Sequence, residues 1–442
     1  MLPLISQHPA DRLAFAWQGG SATYGRLREL VQAALGALAL RGVPRGAAVG
    51  IVGQHGPASA AWMLASAQAG CTAVPLSGNT AEHPARLGLV SAAMVVSCAA
   101  ESWDVAPGPG GPTPSMLASL AARGRAGLVL FSSGTSGEPK AMVQDLAVLL
   151  ASYAGRKPSN LPVCILLQFD HIGGLNTLFG TLAAGATVVV PASLNPGDVA
   201  AAIERHKPAV LPASPTFLNL LLVSGEPTRR DLSSLRLITY GTEPMPGPLL
   251  ARLRVAFPRA RFVQTFGTSE TGIARTESPD PGSLFFRFAD PDQEWKIVEG
   301  ELWLRSRTQV LGYLNAPSDR FTADGWFRTG DRAEAGPEGT LRVLGRAGEM
   351  INVGGEKLMP QEVEAIILGV AGVLDCRVRG EPSALTGQTV VADVVPAPGF
   401  DPEALRSAVR SACRSALARH KVPTRVVFVD SVTSDRGKKS RA

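Results

Sequence analysis

Short apolar runs bounded by turn residues alternate with segments of helical length, and this alternation constrains the chain more than any single motif. Ala47 to Gly53 is followed by the helix-length Ala58 to Ala69 and then by a second apolar run, Ala73 to Leu76. Strands that alternate with helices pair in parallel, and helices must then cover the apolar faces of the sheet. An α/β fold is predicted. Thr177 to Pro191 fits the same pattern as helix, turn and buried strand, because two glycines and a terminal valine triplet argue against a membrane span.

At 442 residues the chain exceeds one simple core, and two or three domains are expected. Near Arg346 the pattern changes. A helix is predicted from Pro360 to Leu368, strands at Val373 to Arg379 and Val390 to Val395, a helix after Asp401, and a strand at Val426 to Val429. Asp401 stands at the cap, Pro402 in the first turn, and Leu405, Ala408, Val409, Ala412, Ala416 and Leu417 recur at helical spacing. Roughly one hundred residues with their own helices and strands make a small α+β domain.

A net charge of +6 and a pI near 9.2 raise the question of nucleic acid or anionic lipid. The dense basic cluster is the tail RGKKSRA from Arg436, with no aromatic residues interleaved, so no nucleic-acid partner is expected. Asp11 and Arg12 precede any long apolar run, and Cys71, Cys98, Cys164, Cys376 and Cys413 form no CxxC pair. A cytoplasmic, reduced setting without a membrane span is expected.

The stretch FSSGTSGEPK, Phe131 to Lys140, holds four hydroxyls and a lysine, while Gly134, Gly137 and Pro139 break regular structure. Its backbone N–H groups need partners. Lys140 lies three residues past Gly137, so this is not a Walker A loop, and a mobile linker and a phosphate cradle both stay open. The loop follows a strand candidate, Leu128 to Phe131; Leu235 to Thr239 runs into YGTEPMP, and Arg261 to Thr265 runs into FGTSETG. Ligands of open α/β sheets bind beyond the carboxyl ends of the strands, so the three loops are expected on one sheet edge, their glycines allowing close approach to a ligand.

FSSGTSGEPKAMV, YGTEPMP, FGTSETG, GWFRTGD (Gly325 to Asp331), GRAGEMINVGGEKLMPQEVE (Gly345 to Glu364) and GKKSR (Gly437 to Arg441) stand in the order and spacing of the adenylate-forming superfamily. That family holds acyl- and aryl-CoA synthetases, nonribosomal-peptide adenylation domains and firefly-type luciferases. The resemblance spans essentially the whole chain, with TYGRLRELV at Thr23 and AGCTAVPL at Ala69 included. It implies a large N-terminal multi-sheet α/β domain, residues 1–345, and a small mobile C-terminal α+β domain, residues 346–442, hinged near 346–348.

By that resemblance Ser132, Ser133, Gly134, Thr135, Ser136, Gly137 and Lys140 close over the β- and γ-phosphates of ATP. Phe266 resembles the aromatic residue that stacks on adenine, followed by Gly267, Thr268 and Ser269; Gly241, Thr242, Glu243 and Pro244 resemble the segment along the base's edge. Glu270 would hold Mg2+, a hard cation that takes one or two carboxylates plus phosphate oxygens. Asp331 would accept the ribose hydroxyls, and Arg346 resembles a ribose or phosphate contact at the domain junction. His171 in QFDHIGG matches a histidine of the acid pocket, with Asp170 the competing choice if an amino acid were the substrate. Ala213, Thr216, Phe217, Thr242 and Thr268 would complete the pocket.

Lys438 is implied as the catalytic cation bridging the carboxylate and the α-phosphate, with Arg441 completing the motif and Lys439 the neighbouring alternative. Gly348 stands at the hinge where relatives have Asp or Lys, and Gly354 and Gly355 would line a path for a pantetheine thiol. The implied activity is ATP-dependent conversion of an aryl or acyl carboxylic acid to acyl-AMP, with pyrophosphate released, then thioester formation with CoA. The alternatives are a stand-alone enzyme that loads the phosphopantetheine thiol of an acyl carrier protein, and a non-catalytic acyl-adenylate binder.

Overall fold

The computed structural model describes residues 3–78, 80–132, 139–280 and 282–432. Two seven-stranded sheets dominate the N-terminal part. One runs in the order Arg261–Gln264, Leu237–Tyr240, Val210–Ala213, Val163–Cys164, Val188–Val190, Leu13–Trp17 and Gly20–Thr23. The other runs Gly312–Tyr313, Lys140–Asp145, Gly127–Ser132, Thr72–Leu76, Ala48–Val52, Met94–Cys98 and Trp103–Pro107. Ala48–Val52 pairs in parallel with both Thr72–Leu76 and Met94–Cys98, as the alternating pattern requires.

One core cluster joins the two sheets, taking Phe15 and Val188 from one, Val49 and Ile51 from the other, and Leu27, Trp62 and Phe179 from helices. The helix Pro57–Ala69 is buried from Pro57 through Ser66. A helix buried on every side has no use for an apolar stripe, and its alanines and serines keep it thin enough to lie within the core.

The expectation of three loops on one sheet edge is corrected here. Gly127–Ser132 belongs to one sheet, whereas Leu237–Tyr240 and Arg261–Gln264 are neighbours in the other. The loops therefore reach the site from two sheets.

A four-stranded antiparallel sheet follows, Gln293–Val298, Glu301–Ser306, Phe327–Ala335 and Leu341–Arg346, packed on Phe286, Leu302, Leu304 and Ala333. Beyond it the C-terminal five-stranded sheet carries the helices Pro360–Leu368 and Pro402–Ala416. Its long hairpin, Val373–Ser383 with Gly387–Pro396, extends past both predicted strands, and Asp401 caps its helix by accepting from the N–H of Ala404 at 2.8 Å. Val363, Ile367, Cys376, Val378, Val409 and Cys413 form a separate core.

At the junction of the two parts Asn219 donates to the carbonyl of Leu374 at 3.2 Å and accepts from Arg252 at 2.9 Å. Burial lowers the proton affinity of Arg252, and the nearby Asp375 carboxylate opposes that effect. Among the described residues no helix is long and apolar enough to cross a membrane.

Candidate functional site

The strands Gly127–Ser132 and Lys140–Asp145 are antiparallel partners, with Ser132 opposite Lys140. Ser133, Gly134, Thr135, Ser136 and Gly137 lie outside the described residues. The Lys140 ammonium stands 5.5 Å from the centroid of the Tyr313 ring. On either side of Lys140 the side chain of Asn315 holds the backbone, accepting from the N–H of Ala141 at 2.9 Å and donating to the carbonyl of Pro139 at 2.9 Å.

In FGTSETG the strands Phe266–Thr268 and Gly272–Ala274 form a hairpin. A Cβ on Gly267 would lie 2.2 Å from the carbonyl oxygen of Gly272, and one on Gly241 would lie 2.7 Å from that of Thr265. Both glycines are thus required by chain-to-chain approach, a reason that stands beside the expected approach of a ligand. Thr268 is buried and its hydroxyl accepts from the N–H of Thr271 at 3.1 Å, while Ser269 occupies the turn. Phe266 is stacked on Phe286, centroids 5.9 Å apart, and meets Phe288 edge-on.

Glu270 accepts the Tyr313 hydroxyl on Oε1 at 3.0 Å, and among the described residues no hydrogen bond engages its Oε2. No cluster of three or more metal-ligating side chains occurs among the described residues. A single half-buried carboxylate suits a magnesium ion that arrives with nucleotide phosphates, because Mg2+ is seldom bound by an all-protein cage. The donor set fits that ion.

In YGTEPMP the backbone of Thr242 has φ 71°, an uncommon conformation for a β-branched residue. Glu243 accepts the N–H of Thr216 at 2.8 Å at the start of the helix Pro215–Val223, where a carboxylate also complements the helix dipole. Thr216, Glu243, Pro244 and Gln361 border a cavity of about 140 Å3 between the two parts. Ala213 and Phe217 are buried in the hydrophobic cluster with Leu211 and Leu218. Both were expected as pocket walls, and both are buried in the folded chain.

Asp331 is only 6% exposed, on the strand opposite Arg346, whose Nε lies 2.9 Å from its Oδ1. Arg320 is close by: a Cβ on Gly330 would meet its Nη2 at 2.5 Å. Burial pushes the Asp331 carboxyl up from 3.8 to about 6, against the pull of Arg346 and Arg320. With the folded value above the unfolded one, stability falls as pH rises from 3.8 to about 6, and the penalty is complete above that window. Asp331→Asn should therefore melt above the wild type at pH 8 and lose that advantage near pH 4. Equal melting at both pH values would refute the burial penalty.

Asp170 accepts both the N–H and the hydroxyl of Ser77, so its carboxylate is engaged within the protein. His171 caps the helix Ile172–Ala183, its Nδ1 accepting from the N–H of Gly173 at 3.0 Å, which leaves the proton of a neutral ring on Nε2. Gly174 has its own reason: a Cβ there would lie 2.0 Å from the carbonyl oxygen of Gln168.

Gly348 lies in a short turn, Ala347–Glu349, where an added Cβ would meet open space. Gly354 and Gly355 have φ of 63° and 93° in the two-residue hairpin between Ile351–Val353 and Glu356–Leu358. That turn demands glycine-like backbone at both positions whether or not a thiol passes. Lys438, Lys439 and Arg441 lie outside the described residues.

The structure thus joins Lys140 to Glu270 through Tyr313 and pairs Asp331 with Arg346. The sequence pattern of the AMP-binding enzyme family matches residues 5–106 and 118–314. The chain belongs to that family. The pattern for the C-terminal domain of AMP-binding enzymes matches residues 362–439 of this AMP-binding enzyme. A methyl-dioxo-octahydroindenyl propanoyl:CoA ligase of Mycobacterium tuberculosis is 32% identical over 68% of this chain and 62% of its own length. A feruloyl-CoA synthase of Amycolatopsis sp. is 28% identical over 95% of this chain and 93% of its own. A solved anthranilate CoA ligase bound to anthranoyl-AMP superposes with a TM-score of 0.84 over 99% of this chain and 94% of that one, at 21% identity, and shows the shared fold. The chain spans about three fifths of the length of the first curated relatives it matches.

Tyr313, Asn315 and Arg320 were missed by sequence reasoning. The GYLNAPSDR segment carries no phosphate or metal motif, and its signal is positional: the partners of Tyr313 and Asn315 lie 43 and 176 residues away in the chain.

Proposed function

We propose that this AMP-binding enzyme is an acid–thiol ligase. An aryl or acyl carboxylate attacks the α-phosphate of ATP, pyrophosphate leaves, and the acyl-AMP is taken by the thiol of CoA with release of AMP. The main support is the shared contact of Tyr313 with Glu270 and Lys140, which sets a carboxylate and an ammonium beside the root of the hydroxyl-rich loop. A magnesium ion held by Glu270 would neutralise charge on the departing phosphates. Asp331 accepts the ribose hydroxyls, Arg346 steadies that carboxylate, and Lys140 with the loop hydroxyls holds the β- and γ-phosphates. His171 Nε2–H faces the acid, and Lys438 bridges the attacking carboxylate and the α-phosphate. The CoA ligases among the relatives support CoA over a carrier protein, and five free cysteines support the reducing cytoplasm as the place of action.

Acid-dependent exchange of labelled pyrophosphate into ATP tests the reading. Exchange is expected with a member of an aryl and acyl acid panel, and its absence across the panel refutes acid activation.

The thiol step is assigned to a second orientation of the small domain, turned at Gly348. Gly348→Pro should make acyl-AMP at the normal rate but convert supplied adenylate to thioester at least about tenfold more slowly, since proline fixes φ near −65°. Normal thioester formation by this variant removes the hinge from Gly348.

A further inference from the structure

Residues 306–315 form a strap between the turn that carries Glu270 and the strand that carries Lys140. On one side Ser306 and Thr308 donate their hydroxyls to the carbonyl of Thr271 at 2.5 and 3.0 Å, and the N–H of Val310 donates to the carbonyl of Glu270 at 2.8 Å. On the other, the N–H of Leu311 donates to Val143 at 2.7 Å and that of Leu314 to Ala141 at 2.9 Å, with Gly312–Tyr313 paired along Lys140–Asp145. The strap thereby sets how far the carboxylate stands from the ammonium.

We propose that Tyr313 is a positioning residue for the magnesium–nucleotide pair: its hydroxyl holds one oxygen of Glu270 and its ring face holds the ammonium of Lys140, so both meet the triphosphate at a preset spacing. This rests on the adenylate-forming reading of the site. One feature of the strap supports it. Two residues on, Asn315 fixes the backbone on both sides of Lys140, so the same short strand restrains the lysine at its root and at its tip. Oε1 accepts from the phenol, so Oε2 is the oxygen that would address the metal.

A tyrosine present only to pack would need its ring and not its hydroxyl, and this separates the two roles. ATP is titrated into the full chain by calorimetry, once with excess Mg2+ and once with a chelator. Tyr313→Phe keeps the ring for packing and for Lys140, so its affinity for metal-free ATP should stay within about twofold of wild type. Its gain in affinity on adding Mg2+ should shrink by about tenfold, the size expected for loss of a hydrogen bond to a charged group. Pyrophosphate exchange by the same variant should need more Mg2+ for half its maximal rate, with the KM for the acid unchanged. Asn315→Ala, as a second variant, should weaken ATP binding by a similar factor with and without the metal.

A Tyr313→Phe protein that gains as much affinity from Mg2+ as wild type overturns the proposal and leaves the ligase reading intact. Wild-type protein that binds no ATP under either condition overturns both. Wild-type protein that binds ATP equally well with and without Mg2+ overturns the metal role of Glu270 and the proposal with it.

Discussion

Glu270→Gln is expected to cut acid-dependent pyrophosphate exchange by about 10²- to 10³-fold, the usual loss when a group that stabilises transition-state charge is removed. Glutamine has the shape of the native side chain and keeps an oxygen to accept the Tyr313 hydroxyl, so the hairpin Phe266–Ala274 should fold unchanged. Only the negative charge is lost. The measurement is the exchange rate over a range of Mg2+ concentrations, beside a thermal melt of the same preparation. A variant within threefold of wild type at every Mg2+ concentration would remove Glu270 from the metal site.

The second large effect is expected at the tail. Lys438→Ala should lose about 10² to 10³ in acyl-AMP formation, because it removes the cation assigned to the charge that builds on the α-phosphate. It should still turn supplied acyl-adenylate into thioester, since the carboxyl is already activated in that compound. Assaying each half-reaction separately distinguishes this from general damage, which would slow both. Should Lys439→Ala show that split while Lys438→Ala adenylates normally, the tail register shifts by one residue.

Much of the fold was legible because its signals are local. Apolar runs became the parallel strands Ala48–Val52 and Thr72–Leu76, and Asp401 with Pro402 announced the helix Pro402–Ala416. Sheet membership was not legible: three loops after three strands read as one edge, and only long-range pairing reveals two sheets. The glycines show the same division. Gly241 and Gly267 stand in motifs that look made for a ligand, yet each has a carbonyl oxygen of its own chain where a Cβ would go. Burial of Asp331 is likewise a property of the folded chain, so its raised proton affinity could not be read from GWFRTGD.

The Asn219 contact between the two parts bears on how evenly they are balanced. Arg252 gives up hydration where the parts meet, and the attraction of Asp375 only partly offsets that loss. On the proposed rotation Arg252 regains water as Asn219 releases Leu374, so rehydration works against the hydrogen bond that holds this contact. A contact of this kind works as a weak detent. Its modest bias leaves the choice of orientation to the cleft's occupant, since a ligand shifts an equilibrium only by its difference in affinity for the two states.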